Sequence, residues 1–188
     1  MRKILSFTLF FIFATTISNA QFYKSILPSP AFTDSLHKII SSFKNNFRSI
    51  QGNIISAQAD VDTYEANTAV PGAEKAVLFR FHSIEDTTAS WQGTMYSGES
   101  YNEAARIYKN IFRLVNKTHL IIDNTAMGFS SQMEEPTESL RFTASTLKAI
   151  STNAAYTHFI AEVEMINSYT GWQVHLNLHN KKADTDKY

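Results

Sequence analysis

Phe32, Leu36, Ile39, Ile40, Phe43 and Phe47 follow one another at spacings of four, three, one, three and four. That is a single apolar stripe along a helix. Ser29-Pro30 and Thr33-Asp34 supply starting signals, and Gly52 lies just beyond the end. Tyr101, Ala104, Ala105, Tyr108, Ile111, Phe112 and Val115 repeat the pattern more cleanly, and Ser100 with Glu103 makes a capping box. Both stripes are narrow, so each helix is expected to lie on something flat with its other side in water.

The flat surface comes from segments of period two. Val77, Phe79 and Phe81 alternate with Ala76, Leu78 and Arg80; Trp91, Gly93 and Met95 alternate with Gln92, Thr94 and Tyr96. Phe159, Ala161, Val163 and Met165 alternate with Ile160, Glu162 and Glu164, and Val174, Leu176 and Leu178 with Gln173, His175 and Asn177. One apolar face predicts strands covered on one side by helices. Ser168-Tyr169-Thr170-Gly171 reads as a hairpin turn. Closing the chain there sets Met165 opposite Val174, Val163 opposite Leu176 and Ala161 opposite Leu178, with all apolar partners on one face. The same test sets Phe81 opposite Trp91 and Val77 opposite Met95. Segments 49–57 and 140–147 are weaker strand candidates, and 58–74 and 123–138 read as long polar loops.

The halves 30–97 and 98–180 share an order: helix, polar loop, then strands ending in a hairpin. Trp91-Gln92 and Trp172-Gln173 open the last strand of each, and Ile84 and Ile166 precede the two turns. The pattern predicts an α+β fold of two layers, two amphipathic helices on one face of an antiparallel sheet, built from a duplicated helix-plus-meander unit. In element order this layout resembles that of the tandem-repeat inhibitors of the β-lactamase-inhibitor type. Those proteins use disulfides, which a chain without cysteine cannot form, and no binding residues carry over.

Composition adds an address. Met1-Arg2-Lys3 is followed by the uncharged run 4–17 and by Ser18-Asn19-Ala20, the three-part layout of a bacterial secretory signal peptide with cleavage after Ala20. The run is too short to span a bilayer, and without a cysteine it cannot anchor a lipoprotein. The expected mature protein is periplasmic or secreted, one domain over 21–180 with a charged tail at 181–188 and no membrane span. Losing Arg2 and Lys3 leaves 15 basic and 17 acidic residues, a formal charge of −2, so no electrostatic argument favours nucleic acid.

The G-x-S-x-G, H-E-x-x-H, P-loop and G-x-G-x-x-G motifs are absent. Ser41-Lys44 and Ser145-Lys148 match S-x-x-K, but the K-T-G that accompanies it in penicillin-binding enzymes is missing. Asp60, Asp62 and Glu65 in one polar loop, and Glu134, Glu135 and Glu138 in the other, lack the glycine and closing acid of an EF-hand. Tyr64, Met127, Phe129 and Met133 in those loops are expected to tuck over the core edge, the alternative being contact residues for a partner.

The last hairpin holds the densest chemistry. Glu164 faces His175 and Glu162 faces Asn177, with His179 further along. Such a set suits Zn²⁺ or an acid–base pair, or is a solvated sheet face with cross-strand charge pairs. Histidines four apart on a strand lie ~13 Å apart, too far to share one ion on a straight strand. No cofactor, metal set or catalytic constellation is assigned. The candidate binding surface is the polar sheet face, with Arg80, Gln92, Tyr96, Glu162, Glu164, Gln173 and His175. The leading expectation is a non-enzymatic binding module for a protein or peptide. A small envelope hydrolase or metal-dependent enzyme using Glu162, Glu164 and His175, and a carrier of a small apolar ligand, are the alternatives.

Overall fold

A computed structural model describes residues 27–82 and 88–181. The expected leader, Ile84 and the tail beyond Lys181 lie outside the described residues. Helix α1 spans Pro30–Phe43: the Ser29 hydroxyl accepts from the Phe32 N–H at 3.2 Å, and Pro30 occupies the first turn, where no N–H is needed. Phe32, Leu36, Ile39 and Ile40 are buried. The helix is shorter than its apolar stripe. Asn46 and Phe47 have φ of 58° and 59°, so the chain turns sharply, and Phe47 reaches the core from this turn rather than from the helix. Helix α2 spans Tyr101–Asn116 and starts at Ser100, whose hydroxyl accepts from the Glu103 N–H at 3.3 Å.

Nine strands form one antiparallel sheet: β1 (Gln51–Ala57), β2 (Val61–Ala66), β3 (Lys75–Phe81), β4 (Ala89–Gly98), β5 (Leu120–Ile122), β6 (Thr125–Ser130), β7 (Phe142–Ser151), β8 (Phe159–Ser168) and β9 (Gly171–Asn180). Their order is β1-β2-β3-β4-β9-β8-β7-β6-β5. Two meanders thus meet at the centre through β4 and β9. Helix α2 packs over β4, β9 and β8, and α1 lies nearer β5. Laterally paired residues Tyr64, Leu78, Trp91, Leu178, Ala161 and Leu147 form one row across six strands, all in or against the cluster that holds both helices. No helix among the described residues is long and apolar enough to cross a membrane.

The β8–β9 hairpin has the expected register. Met165 pairs with Val174, Val163 with Leu176, Ala161 with Leu178, and Ser168 with Gly171 around the turn. The β3–β4 register differs by three residues from the expected one, an odd number that exchanges the faces. Leu78, not Phe81, sits opposite Trp91, and Val77 sits opposite Gln92. The segment Val77-Leu78-Phe79 is apolar at both parities, so alternation alone does not say which face goes inside, and a one-residue slip exchanges the faces. Leu78 goes to the core, while Phe79 and Phe81 face away from the helices.

Both polar loops contain strands. Segment 58–74 holds β2, and 123–138 holds β6. Met127 and Phe129 are core residues of β6, and Tyr64 and Met133 pack against the core. Ser145 is buried on β7: its hydroxyl lies 2.5 Å from that of Tyr108 and accepts from the Glu134 N–H at 2.8 Å. It pins a connection to the core.

Candidate functional site

The face without helices carries its own rows. Glu65, Val77, Gln92, Asn177, Glu162 and Thr146 are lateral partners, and Thr94, His175, Glu164 and Ala144 form the next row. This face is not uniformly wet. His175 is 8% exposed, Val77 7% and Ile160 5%, although none of the three belongs to the helix-side cluster. Over β3, β4, β9 and β8 the face forms an open depression of about 420 Å³. Phe79 and Phe81 line one side, Glu162 and Glu164 the other, with Gln92 and Asn177 between.

Separate polar contacts join neighbouring strands across the depression. The Gln92 amide donates to Asn177 Oδ1 at 2.9 Å. Asn177 lies opposite Glu162 across β8 and β9, with Glu164 two positions along β8 on the same face. The Thr146 hydroxyl donates to Glu162 at 3.0 Å, and His179 Nε2 lies 3.7 Å from the other Glu162 oxygen. The two carboxyls are consequently driven apart. Contact with His179 holds Glu162 below the usual carboxylate range, prevailing with the help of Thr146 over its own burial. Burial pushes Glu164 up; Asn177 opposes this, and the neighbouring Glu162 charge adds to it.

The expected site residues divide three ways. Gln92, Glu162 and Glu164 come together in the depression. Gln173 and His175 are on the same face but in the adjoining rows, where His175 contacts Gln173 Oε1 at 3.2 Å and the Thr94 hydroxyl at 3.4 Å. Burial lowers the basicity of His175. Arg80 and Tyr96 are on the other face. Arg80 follows the corrected register of β3, and its guanidinium donates to Gln51 Oε1 at 2.7 Å and to the Asn46 carbonyl at 3.0 Å. Tyr96 is carried across by a β-bulge between Thr94 and Tyr96, which sets it opposite Val174. Its hydroxyl accepts from the Ser100 N–H at 3.2 Å, beside the start of α2.

Phe79, Phe81, Thr88, Ser90, His179 and Asn180 also line the depression and were not among the expected site residues. The signal for the two phenylalanines was that β3 is apolar on both parities, so that either Leu78 or the pair Phe79 and Phe81 must face away from the helices. Among the described residues, no group of three or more His, Cys, Asp or Glu side chains is placed to hold a metal ion. The acidic residues of β2 also separate: Asp62 pairs with Arg80 toward the helices and Glu65 with Val77 on the open face. A second hollow of about 460 Å³, more apolar, lies at the β5–β6–β7 margin beside Leu120, Met127, Phe129 and Ile150. The chain matches no known family model, no curated protein and no solved structure.

Proposed function

We propose that the protein is a binding module of the periplasm or extracellular space that docks a protein or peptide on the open face of its sheet. The observation that carries this reading is the depression over β3, β4, β9 and β8, where hydrogen-bonded polar groups face two outward-facing phenylalanines. Polar groups that fix orientation beside apolar groups that exclude water are the usual makings of a recognition site. The fold supports the same reading, because the two helices stiffen the sheet from behind. The repetition of helix and meander, with β4 and β9 side by side, supports an origin by duplication.

A photo-crosslinking residue at Ser90, compared with one at Arg113 on the outer side of α2, tests the proposal. A single partner trapped in the native envelope or secreted fraction from Ser90 and not from Arg113 is expected. Equal trapping at both positions overturns it.

A hydrolytic reading draws on one observation, the adjacent Glu162 and Glu164 carboxyls with opposite proton preferences. Such a split suits a proton donor beside a carboxylate. Turnover of a glycoside or peptide substrate, lost in Glu164→Gln, would be its mark. The carrier reading has less support, since Trp91, Tyr108, Tyr156, Phe32, Phe47 and Phe159 fill the space between helices and sheet.

A further inference from the structure

We propose that the depression receives the guanidinium of an arginine presented by a peptide or protein partner, an inference that rests on the open face being the docking surface. The first argument is charge. Glu162 and Glu164 lie on one side of the depression, and among its described lining residues there is no Lys or Arg. The arginine closest in sequence, Arg80, is turned to the helix side and engaged there by Gln51 and Asn46. Among the described residues His179 is the basic side chain in contact with the pair, 3.7 Å from Glu162, and Lys181 acts on Glu162 from further away.

The second argument is shape and lining. Phe79 and Phe81 provide aromatic surface on the opposite side. A guanidinium is planar, offers donors in a fork that fits carboxylates, and is weakly hydrated enough to stack on a ring. The Gln92 and Asn177 amides add polar contacts between the two sides. An ammonium ion is a point charge that uses the carboxylates and gains less from the rings. The depression, about 420 Å³, is at the lower end of ligand pockets, enough for one long side chain and not for a folded segment.

The test uses the purified protein and blocked tripeptides Gly-Arg-Gly, Gly-Lys-Gly and Gly-citrulline-Gly, with free L-arginine as a further probe. Binding is followed by NMR through the side-chain amides of Gln92 and Asn177. The arginine peptide is expected to shift these signals and to bind about tenfold more tightly than the citrulline peptide, the ratio that loss of one charge-assisted contact gives. Glu162→Gln and Glu164→Gln should each remove that preference while the circular dichroism spectrum and melting curve stay close to wild type. Phe79→Ala should weaken the arginine peptide more than the lysine peptide.

Equal binding of the arginine and citrulline peptides, or none at millimolar concentration, overturns the proposal. Binding of free L-arginine as tight as the peptide overturns the peptide source and assigns the site to a small guanidinium compound. Lys182→Gln/Lys187→Gln is run in parallel: arginine binding seen only in that variant would make the chain's own tail the occupant and likewise overturn the proposal. A partner trapped at Ser90 whose binding survives both Glu→Gln changes would leave the docking surface standing and remove the arginine.

Discussion

Trp91 explains why its strand carries a glycine two positions on. The indole lies along β4, and a Cβ added at Gly93 would come within 2.7 Å of its Cη2. The Nε1–H donates to the Thr68 carbonyl at 3.0 Å, so the ring cannot swing away without stranding a buried donor. Gly93→Ala is therefore expected to destabilise the fold by about 1–3 kcal/mol through overpacking, measured as a lower urea midpoint with an unchanged slope. Ser145 illustrates the same economy, since its hydroxyl serves both Tyr108 and the Glu134 N–H. Ser145→Ala should cost about 1–3 kcal/mol, the penalty of stranding buried partners, as read by the same denaturation.

His175 sets a pH dependence. The buried ring takes up a proton less readily than its ordinary value of 6.5 implies, so on acidification the unfolded chain binds a proton that the folded chain resists. The stability this group contributes is present above pH 6.5 and is lost as pH falls from there. Glu164, directly across on β8, acts with opposite sign, because its raised affinity favours the folded state until pH rises through its folded value. Lys75, opposite Thr94 on β3, is the basic group on the far side of that row. His175→Gln should give a shallower loss of stability between pH 6.5 and pH 5 than wild type in urea titrations; an identical slope would mean that His175 is not the responsible group.

Among the elements, the β8–β9 hairpin was legible in full because its alternation is strict and its turn is short. Only one register buries Met165, Val163 and Ala161 together with Val174, Leu176 and Leu178. The turn needs Gly171: its φ is 105°, and a Cβ there would come within 2.6 Å of the Gly98 carbonyl. Gly171→Ala should destabilise by about 1–3 kcal/mol, with hydrogen exchange quickening first at Trp172 and Gln173. The β3–β4 pair was legible as two strands but not in register. β3 is apolar on both parities, and seven residues separate it from β4, too many to impose a register as a two-residue turn does. Strands β2 and β6 were hidden by composition. Thr63, Thr125 and Ser130 are polar because they occupy the outer parts of the sheet, and their neighbours in sequence resemble loop.

At the scale of the whole molecule, the two meanders are joined twice. β4 pairs with β9 along most of its length, and α1 crosses to the far half. The Phe43 ring packs edge-on against Phe159 at 4.7 Å between centroids and lies 5.9 Å from Tyr156, while Lys44 pairs with Asp123. The halves should accordingly unfold together. Trp91 and Trp172 are the two tryptophans of the chain, one in each half. Within Trp172→Phe, and again within Trp91→Phe, tryptophan fluorescence and far-ultraviolet circular dichroism should share one urea midpoint. Separate midpoints in either variant would show that the halves are independent units.

The sequence by itself determined the kinds of element and their order wherever periodicity was one-sided: the two helices with their caps, the last hairpin, and the facing of Glu164 to His175 and Glu162 to Asn177. Those features follow from local rules of period and turn chemistry. The tertiary structure alone decided which parity of β3 turned inward, where the bulge in β4 moved Tyr96, and hence that Arg80 left the open face while Phe79 and Phe81 entered it. Each of these depends on packing against elements outside the strand itself, where an odd shift of register exchanges the faces of a whole strand. The depression is the product of those exchanges, which is why its acidic side was visible in the chain and its aromatic side was not.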